Sequence, residues 1–175
     1  YGELRSLAGE LGVVYITASK RSLYDLTYQR ADTLSSPFFN IFSEQQLGLM
    51  TLDEAAWLLR DLSALPHSMP FSPEQIEQLV DLAGPHPFFL QVAASYLYAA
   101  RSETDDFGAI SAHVVRHFKT EAEDHFRYWW GQLSDGEQIA LRRLESAVPP
   151  SEMVSGLRRQ ALIRDDGHDH WRPFS

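Results

Sequence analysis

The sequence predicts a mainly α-helical protein with short β-segments, and three observations support this fold class. Val13 to Thr17 are all β-branched or aromatic, which is typical of a strand buried on both faces of a parallel sheet. Amphipathic patterns with helix-start signals over residues 51–128 predict a small helical bundle. Residues 129–175 give the order helix, helix, β-hairpin, which is that of a winged helix. We therefore expect the end of an α/β sheet in residues 1–50, followed by the bundle and a truncated winged-helix domain.

The sheet predicted near the N-terminus is incomplete. A strand buried on both faces needs strands beside it and helices on each face. One further strand is plausible nearby, around Asn40 to Met50, and two strands alone cannot cover each other. We therefore expect most of this sheet to lie outside the sequence, so that the chain begins inside a domain.

Local signals fix where the helices begin and end. Gly84 should end one helix and Pro87 should begin the next, which is followed by a helix over roughly Phe107 to Tyr128. A pair of prolines breaks the chain before a helix that begins at Ser151 or Glu152. Trp129 and Trp130 are expected to pack between the bundle and the winged helix. Three capping boxes begin helices, namely Thr51–Glu54, Ser72–Gln75 and Ser134–Glu137.

Composition excludes several classes of protein. The hydrophobic fraction of 44% is enough for a core, and no apolar run of about 18 residues or leader is present. We therefore expect a cytoplasmic protein without a membrane partner. The absence of cysteine excludes disulfides, zinc–thiolate sites and cysteine nucleophiles. The net charge of −9 argues against general affinity for nucleic acid.

The predicted winged helix is also poorly suited to DNA. Residues 134–175 hold six arginines and seven acids, and the expected wing turn at Asp165–Asp169 is acidic. Arg158 and Arg159 form the one basic cluster on the expected recognition helix. Because phosphate neutralisation dominates affinity for DNA, a packing role is favoured.

The order of these parts resembles the C-terminal half of the STAND class of AAA+ ATPases. The resemblance rests on a buried strand with small polar residues at its end, a last strand, a helical segment containing Gly84-Pro85-His86-Pro87-Phe88-Phe89-Leu90-Gln91, and a winged helix. It implies that residues 1–50 are the end of a P-loop nucleotide-binding core and residues 51–128 a helical lid. It also implies ATP or ADP with Mg²⁺, bound mainly by a part of the protein that this sequence lacks.

The first candidate site lies at the end of the predicted N-terminal strand. Polar residues at the carboxyl end of a parallel strand lie where open α/β sheets bind ligands. The resemblance implies the sensor 1 position, where Thr17 or Ser19 would hydrogen-bond a phosphate or its water and Lys20 or Arg21 would supply charge. The alternative is an ordinary solvated junction between strand and loop.

The second candidate site is the turn Gly84-Pro85-His86-Pro87. Without a ligand, this pattern is explained by a helix stop followed by a helix start. The resemblance implies contact with the adenine and ribose, with Pro87 as the residue in contact and His86 beside the base. The spacing departs from the Gly-x-Pro of the family, because His86 stands where that proline would be.

Catalytic and metal sites are not predicted within this chain. No Gly-x-x-x-x-Gly-Lys-Ser/Thr occurs, and the acidic pair Asp53-Glu54 belongs to a capping box. His113 and His117 share a helix face with Glu121, which would suit a metal, but surface histidines on an amphipathic helix are commoner.

The sequence as a whole predicts the nucleotide-sensing lid and winged-helix part of a regulatory switch ATPase. Its partners would be ATP or ADP, the missing N-terminal core, and a homo-oligomer or effector domain; no nucleic-acid partner is expected. The alternative is a stand-alone helical and winged-helix module that binds a protein or DNA, whose N-terminal strand would pair with a partner protein.

Overall fold

The computed structural model describes residues 11, 14–19, 42–64, 69–104, 106–144, 146, 148–166 and 170–175. It divides into two compact units, residues 1–46 and 47–175, which are considered separately. Within the described residues, the second unit contains helices α1 (Leu52–Ser63), α2 (Pro73–Ala83), α3 (Pro87–Arg101), α4 (Phe107–Gln132), α5 (Asp135–Arg142) and α6 (Ser151–Arg159), and strands β1 (Ile163–Asp165) and β2 (Trp171–Pro173).

The described residues of the first unit do not form the predicted strand. Residues 14–19 form neither helix nor strand, and the side chains of Val14 and Ile16 are 84% and 94% exposed. The prediction of a buried strand is therefore wrong for the part of Val13 to Thr17 that the structure describes. A parallel strand is held by strands alongside it, and none lies beside these residues in the described part of the unit.

The second predicted strand is also wrong where it can be judged. Residues 42–50 contain no strand. Leu49 and Met50 instead pack against the helical core, and the Met50 N–H donates a hydrogen bond to the Pro85 carbonyl oxygen at 2.9 Å. These two residues thus connect the segment before α1 to the core of the second unit.

The three predicted capping boxes are confirmed. The hydroxyls of Thr51, Ser72 and Ser134 each accept a hydrogen bond from the backbone N–H three residues later. The side chain of that later residue accepts a hydrogen bond from the capping residue's own N–H. Each box therefore satisfies two N–H groups that the helix itself leaves unpaired.

Helix α3 is the centre of the core of the second unit. Its buried face alternates large and small side chains, and the alanines let the neighbouring helices approach closely. Helix α4 packs along it and continues to Gln132, one turn beyond the predicted end at Tyr128. The buried residues of α3 are Phe89, Leu90, Ala93, Ala94, Leu97 and Ala100.

The C-terminal part folds as the predicted helix, helix and β-hairpin. Strands β1 and β2 are antiparallel, with Arg164 opposite Arg172. Leu157, Ile163 and Phe174 are nearly fully buried and belong to the same core as the α3 residues. The lid and winged-helix domains assigned on either side of residue 128 stay a prediction. No helix among the described residues is long and apolar enough to cross a membrane.

Candidate functional site

The turn between α2 and α3, residues 84–87, is held by contacts from distant parts of the chain. Gly84 ends α2 with φ +62° and ψ −179°, a conformation that is open mainly to glycine. A Cβ atom at this position would overlap the backbone carbonyl of Phe174. The turn therefore needs glycine for its conformation and for the close approach of the C-terminal segment.

Five aromatic rings pack together beside this turn, and we name them the aromatic cluster: His86, Phe89, Phe126, Trp129 and Phe174. The His86 ring lies 5.0 Å from Phe89 and 5.4 Å from both Trp129 and Phe174. Phe174 stacks on Phe89 at 5.6 Å with nearly parallel planes, and also contacts Phe126 at 5.8 Å. The cluster therefore joins α3, α4 and the end of the β-hairpin in one packed group.

His86 is half-buried and its Nδ1 atom is fully buried. That nitrogen makes no hydrogen bond within the described structure. Burial lowers the pKa of His86 below its ordinary value, because the surrounding rings cannot solvate an imidazolium. The folded protein thus favours the neutral ring.

Pro87 occupies the first turn of α3, as predicted, and is half-buried. Its ring contributes an apolar surface at the start of α3, beside the half-buried His86 ring. The turn itself carries no lysine or arginine. It therefore offers no side-chain cation to a phosphate group.

The other predicted site residues belong to the first unit. Thr17 and Ser19 are exposed. Lys20 and Arg21 lie outside the described residues. Their proposed contacts with a phosphate remain predictions, and the two candidate sites are described separately because they fall in different units.

The sequence indicated Trp129 as a packing residue and did not indicate Phe174 or Met50. Trp129 contacts both Phe89 and Phe174, as expected for a residue between the bundle and the C-terminal part. Trp130 is covered by the Arg142 guanidinium at 4.9 Å from its ring centre. Phe174 follows a strand near the end of the sequence, where no local pattern shows which distant residues it meets.

The histidines of α4 form a stacked surface group. The rings of His113 and His117 lie 4.2 Å apart, and Tyr96 stacks on His117 at 5.4 Å. The Tyr96 hydroxyl donates to a Glu121 carboxylate oxygen at 2.6 Å, which raises the pKa of Tyr96. Over the described ranges, no three histidine or acidic side chains converge in a way that could hold a metal.

Comparison with known proteins identifies the family. No curated protein and no solved structure matches the chain. The family model for novel STAND NTPase 2 matches residues 1–148, which is most of the 175-residue sequence. The chain therefore belongs to the novel STAND NTPase 2 family.

Proposed function

We propose that this chain is the nucleotide-sensing lid and winged-helix part of a STAND-type regulatory switch. ATP or ADP, with Mg²⁺, would be bound mainly by residues outside this sequence. Membership of an NTPase family supports the use of a nucleotide. The 175 residues contain no Gly-x-x-x-x-Gly-Lys-Ser/Thr motif, and the proposal assigns the amides and lysine that hold the β- and γ-phosphates to residues outside this sequence.

The single observation that carries the proposal is the convergence at the turn of residues 84–87. The Met50 N–H donates a hydrogen bond to the Pro85 carbonyl oxygen in this turn, and Phe174 packs against both Gly84 and His86. A base against Pro87, with the half-buried His86 ring beside it, would press on this contact. Because packed interiors transmit displacements instead of absorbing them, the β-hairpin would move with the turn.

The C-terminal part is proposed to relay this movement through packing. Arg158, on the helix expected to read DNA, lies over the Trp171 ring at 5.3 Å. The Arg159 Nε–H donates to the Ser155 carbonyl at 3.3 Å. These two arginines take part in intramolecular contacts, which supports packing over phosphate binding.

The test compares two prolines at equivalent positions in the full-length protein that carries this sequence. Pro87→Ala should raise the Kd of a fluorescent ADP analogue by about fivefold, the equivalent of ~1 kcal/mol of lost apolar contact. Pro73→Ala is the matched control, because Pro73 also begins a helix and lies away from the turn. Equal Kd values for Pro87→Ala and the wild type would contradict the proposed contact.

A second experiment separates the proposal from its alternative. The purified 175-residue chain should show no ATP turnover and no salt-dependent binding to duplex DNA. Turnover that survives purification would overturn the assignment of catalysis to another part of the protein. Tight, salt-dependent DNA binding would instead favour a stand-alone nucleic-acid module.

A further inference from the structure

A second site, lined by none of residues 84–87, is a groove between α1, α2 and the β-hairpin. The groove has a volume of about 540 Å³, which is within the range of ~300–1,000 Å³ typical of small-molecule sites. Its floor is apolar, and one side chain of the rim, that of Leu52, is 54% exposed. The apolar lining residues include Leu52, Ala56, Phe71, Ile76 and Val80.

Three arginines border this groove: Arg60 from α1, Arg164 from β1 and Arg172 from β2. Arg164 and Arg172 are directly opposite each other in the hairpin. Like charges in opposite positions destabilise a strand pair, so an anion beside both guanidinium groups would stabilise the hairpin.

Arg164 lacks such a partner within the described part of the chain. Its Nε atom is buried and makes no hydrogen bond there, and no ion pair forms between its guanidinium and an acid. Burial and the neighbouring Arg172 lower the pKa of Arg164, while Asp81 acts in the opposite direction. A buried guanidinium donor without an acceptor carries the full cost of its desolvation.

From the unpaired Nε of Arg164, the neighbouring Arg172 and the apolar lining, we propose that this groove binds a small amphipathic carboxylate. The carboxylate accepts hydrogen bonds from Arg164 and Arg172, and its apolar body lies on the floor between α1 and α2. A planar carboxylate matches the two parallel donors of a guanidinium, which a neutral group cannot do.

The charged side chains around the groove favour a ligand that carries a single negative charge. Three arginines face two acids, Glu77 and Asp81, which leaves a net charge of +1 among the charged lining residues. A phosphate dianion would be repelled by the two acids, whereas a monocarboxylate neutralises the excess. The volume favours a small molecule, because a standard protein partner would need about 800 Å² of surface on this side.

The test is an NMR titration of the 175-residue chain with phenylbutyrate at constant ionic strength. Phenylbutyramide is the matched neutral probe, and inorganic phosphate is an anion that has no apolar group. We expect phenylbutyrate to shift the Arg164 Nε–Hε resonance saturably. Its Kd should be at least about tenfold lower than that of the amide, as expected when a charge-assisted hydrogen bond is lost.

Two variants and a control locate the binding. Arg164→Gln should raise the Kd of phenylbutyrate about tenfold or more, and Arg116→Gln, an exposed arginine on α4, should leave it unchanged. Asp81→Asn keeps Arg164 and removes an opposing charge, so it should lower the Kd a few-fold. This second variant tests the electrostatic account even where Arg164→Gln unfolds the hairpin.

The outcomes that overturn the proposal are distinct. Equal Kd values for phenylbutyrate and phenylbutyramide would show that the groove binds apolar groups and does not select an anion. Tighter binding of phosphate, or an unchanged Kd in Asp81→Asn, would contradict selection of a monocarboxylate. Binding of an acidic, apolar peptide without binding of phenylbutyrate would show a macromolecular docking surface instead.

Discussion

At the scale of single residues, His86 combines two properties that its sequence position alone would not suggest. It precedes a helix, where exposed polar residues are common, yet its ring is packed among three aromatic rings. The helix start was predictable because Pro87 is a local signal. The burial was not, because it depends on Trp129 and Phe174, which are distant in sequence.

His86 should make the stability of the second unit depend on pH. Its folded-state pKa lies below its ordinary value, so at mildly acidic pH the unfolded chain binds a proton that the folded chain does not. This stability is fully present above the ordinary pKa and is lost as pH falls through that value towards the folded pKa. Urea unfolding at pH 7.5 and 5.5 should show a larger loss of unfolding free energy in the wild type than in His86→Phe. Equal losses in both proteins would mean that the ring titrates freely in the fold; the other histidines are common to both.

Among the helices and strands, the features that depend on neighbouring residues were predicted from the sequence, and those that depend on distant residues were missed. Thr51, Ser72 and Ser134 start helices through hydrogen bonds three residues away, so their pattern is visible in the sequence. The hairpin was predicted from the tight turn that begins at Asp165, between two candidate strands. The strands expected at 13–17 and 40–50 require partners, and a β-branched run does not show whether partners exist. Arg164 and Arg172 lie directly opposite each other in the hairpin, which can be seen only once the register of the two strands is known.

The connection between α2 and α3 gives a sharp mutational test. Gly84→Ala should lower the free energy of unfolding by about 2 kcal/mol or more, from backbone strain together with overlap on the Phe174 carbonyl. Gly131→Ala, in α4, is the matched control because nothing lies near its added Cβ. The control should be neutral or stabilising by up to about 1 kcal/mol, since alanine is the better helix former. Urea titrations of both variants measure this, and a Gly84→Ala protein as stable as the control would contradict the described turn.

At the scale of the whole second unit, one core extends from α1 to the end of the β-hairpin. Leu59, Phe89 and Leu157 are each 0% exposed and belong to the same buried cluster as Phe174. A continuous core predicts that the helical part and the C-terminal part unfold together.

Phe174 should be the residue on which this cooperativity depends. Phe174→Ala removes a side chain that is 3% exposed and should lower the free energy of unfolding by about 3–5 kcal/mol. Tyr98→Ala, at a site that is 52% exposed, should change it by less than about 1 kcal/mol. Helix content by circular dichroism and tryptophan fluorescence should give coincident transitions in the wild type. Two separate wild-type transitions, or a Phe174→Ala protein as stable as Tyr98→Ala, would show that the C-terminal part folds independently.

The hydrogen bond from Met50 to Pro85 has a mechanical consequence. The segment that leads into α1 is anchored on the same turn that Phe174 closes, so the two ends of the second unit meet at one place. A pull applied through the backbone before Met50 would load the Pro85 carbonyl, and a pull applied at the end of the β-hairpin would load its contacts with Gly84 and with the Leu82 carbonyl. Tension from either side is therefore carried by the residues next to His86, without passing along the length of the helices.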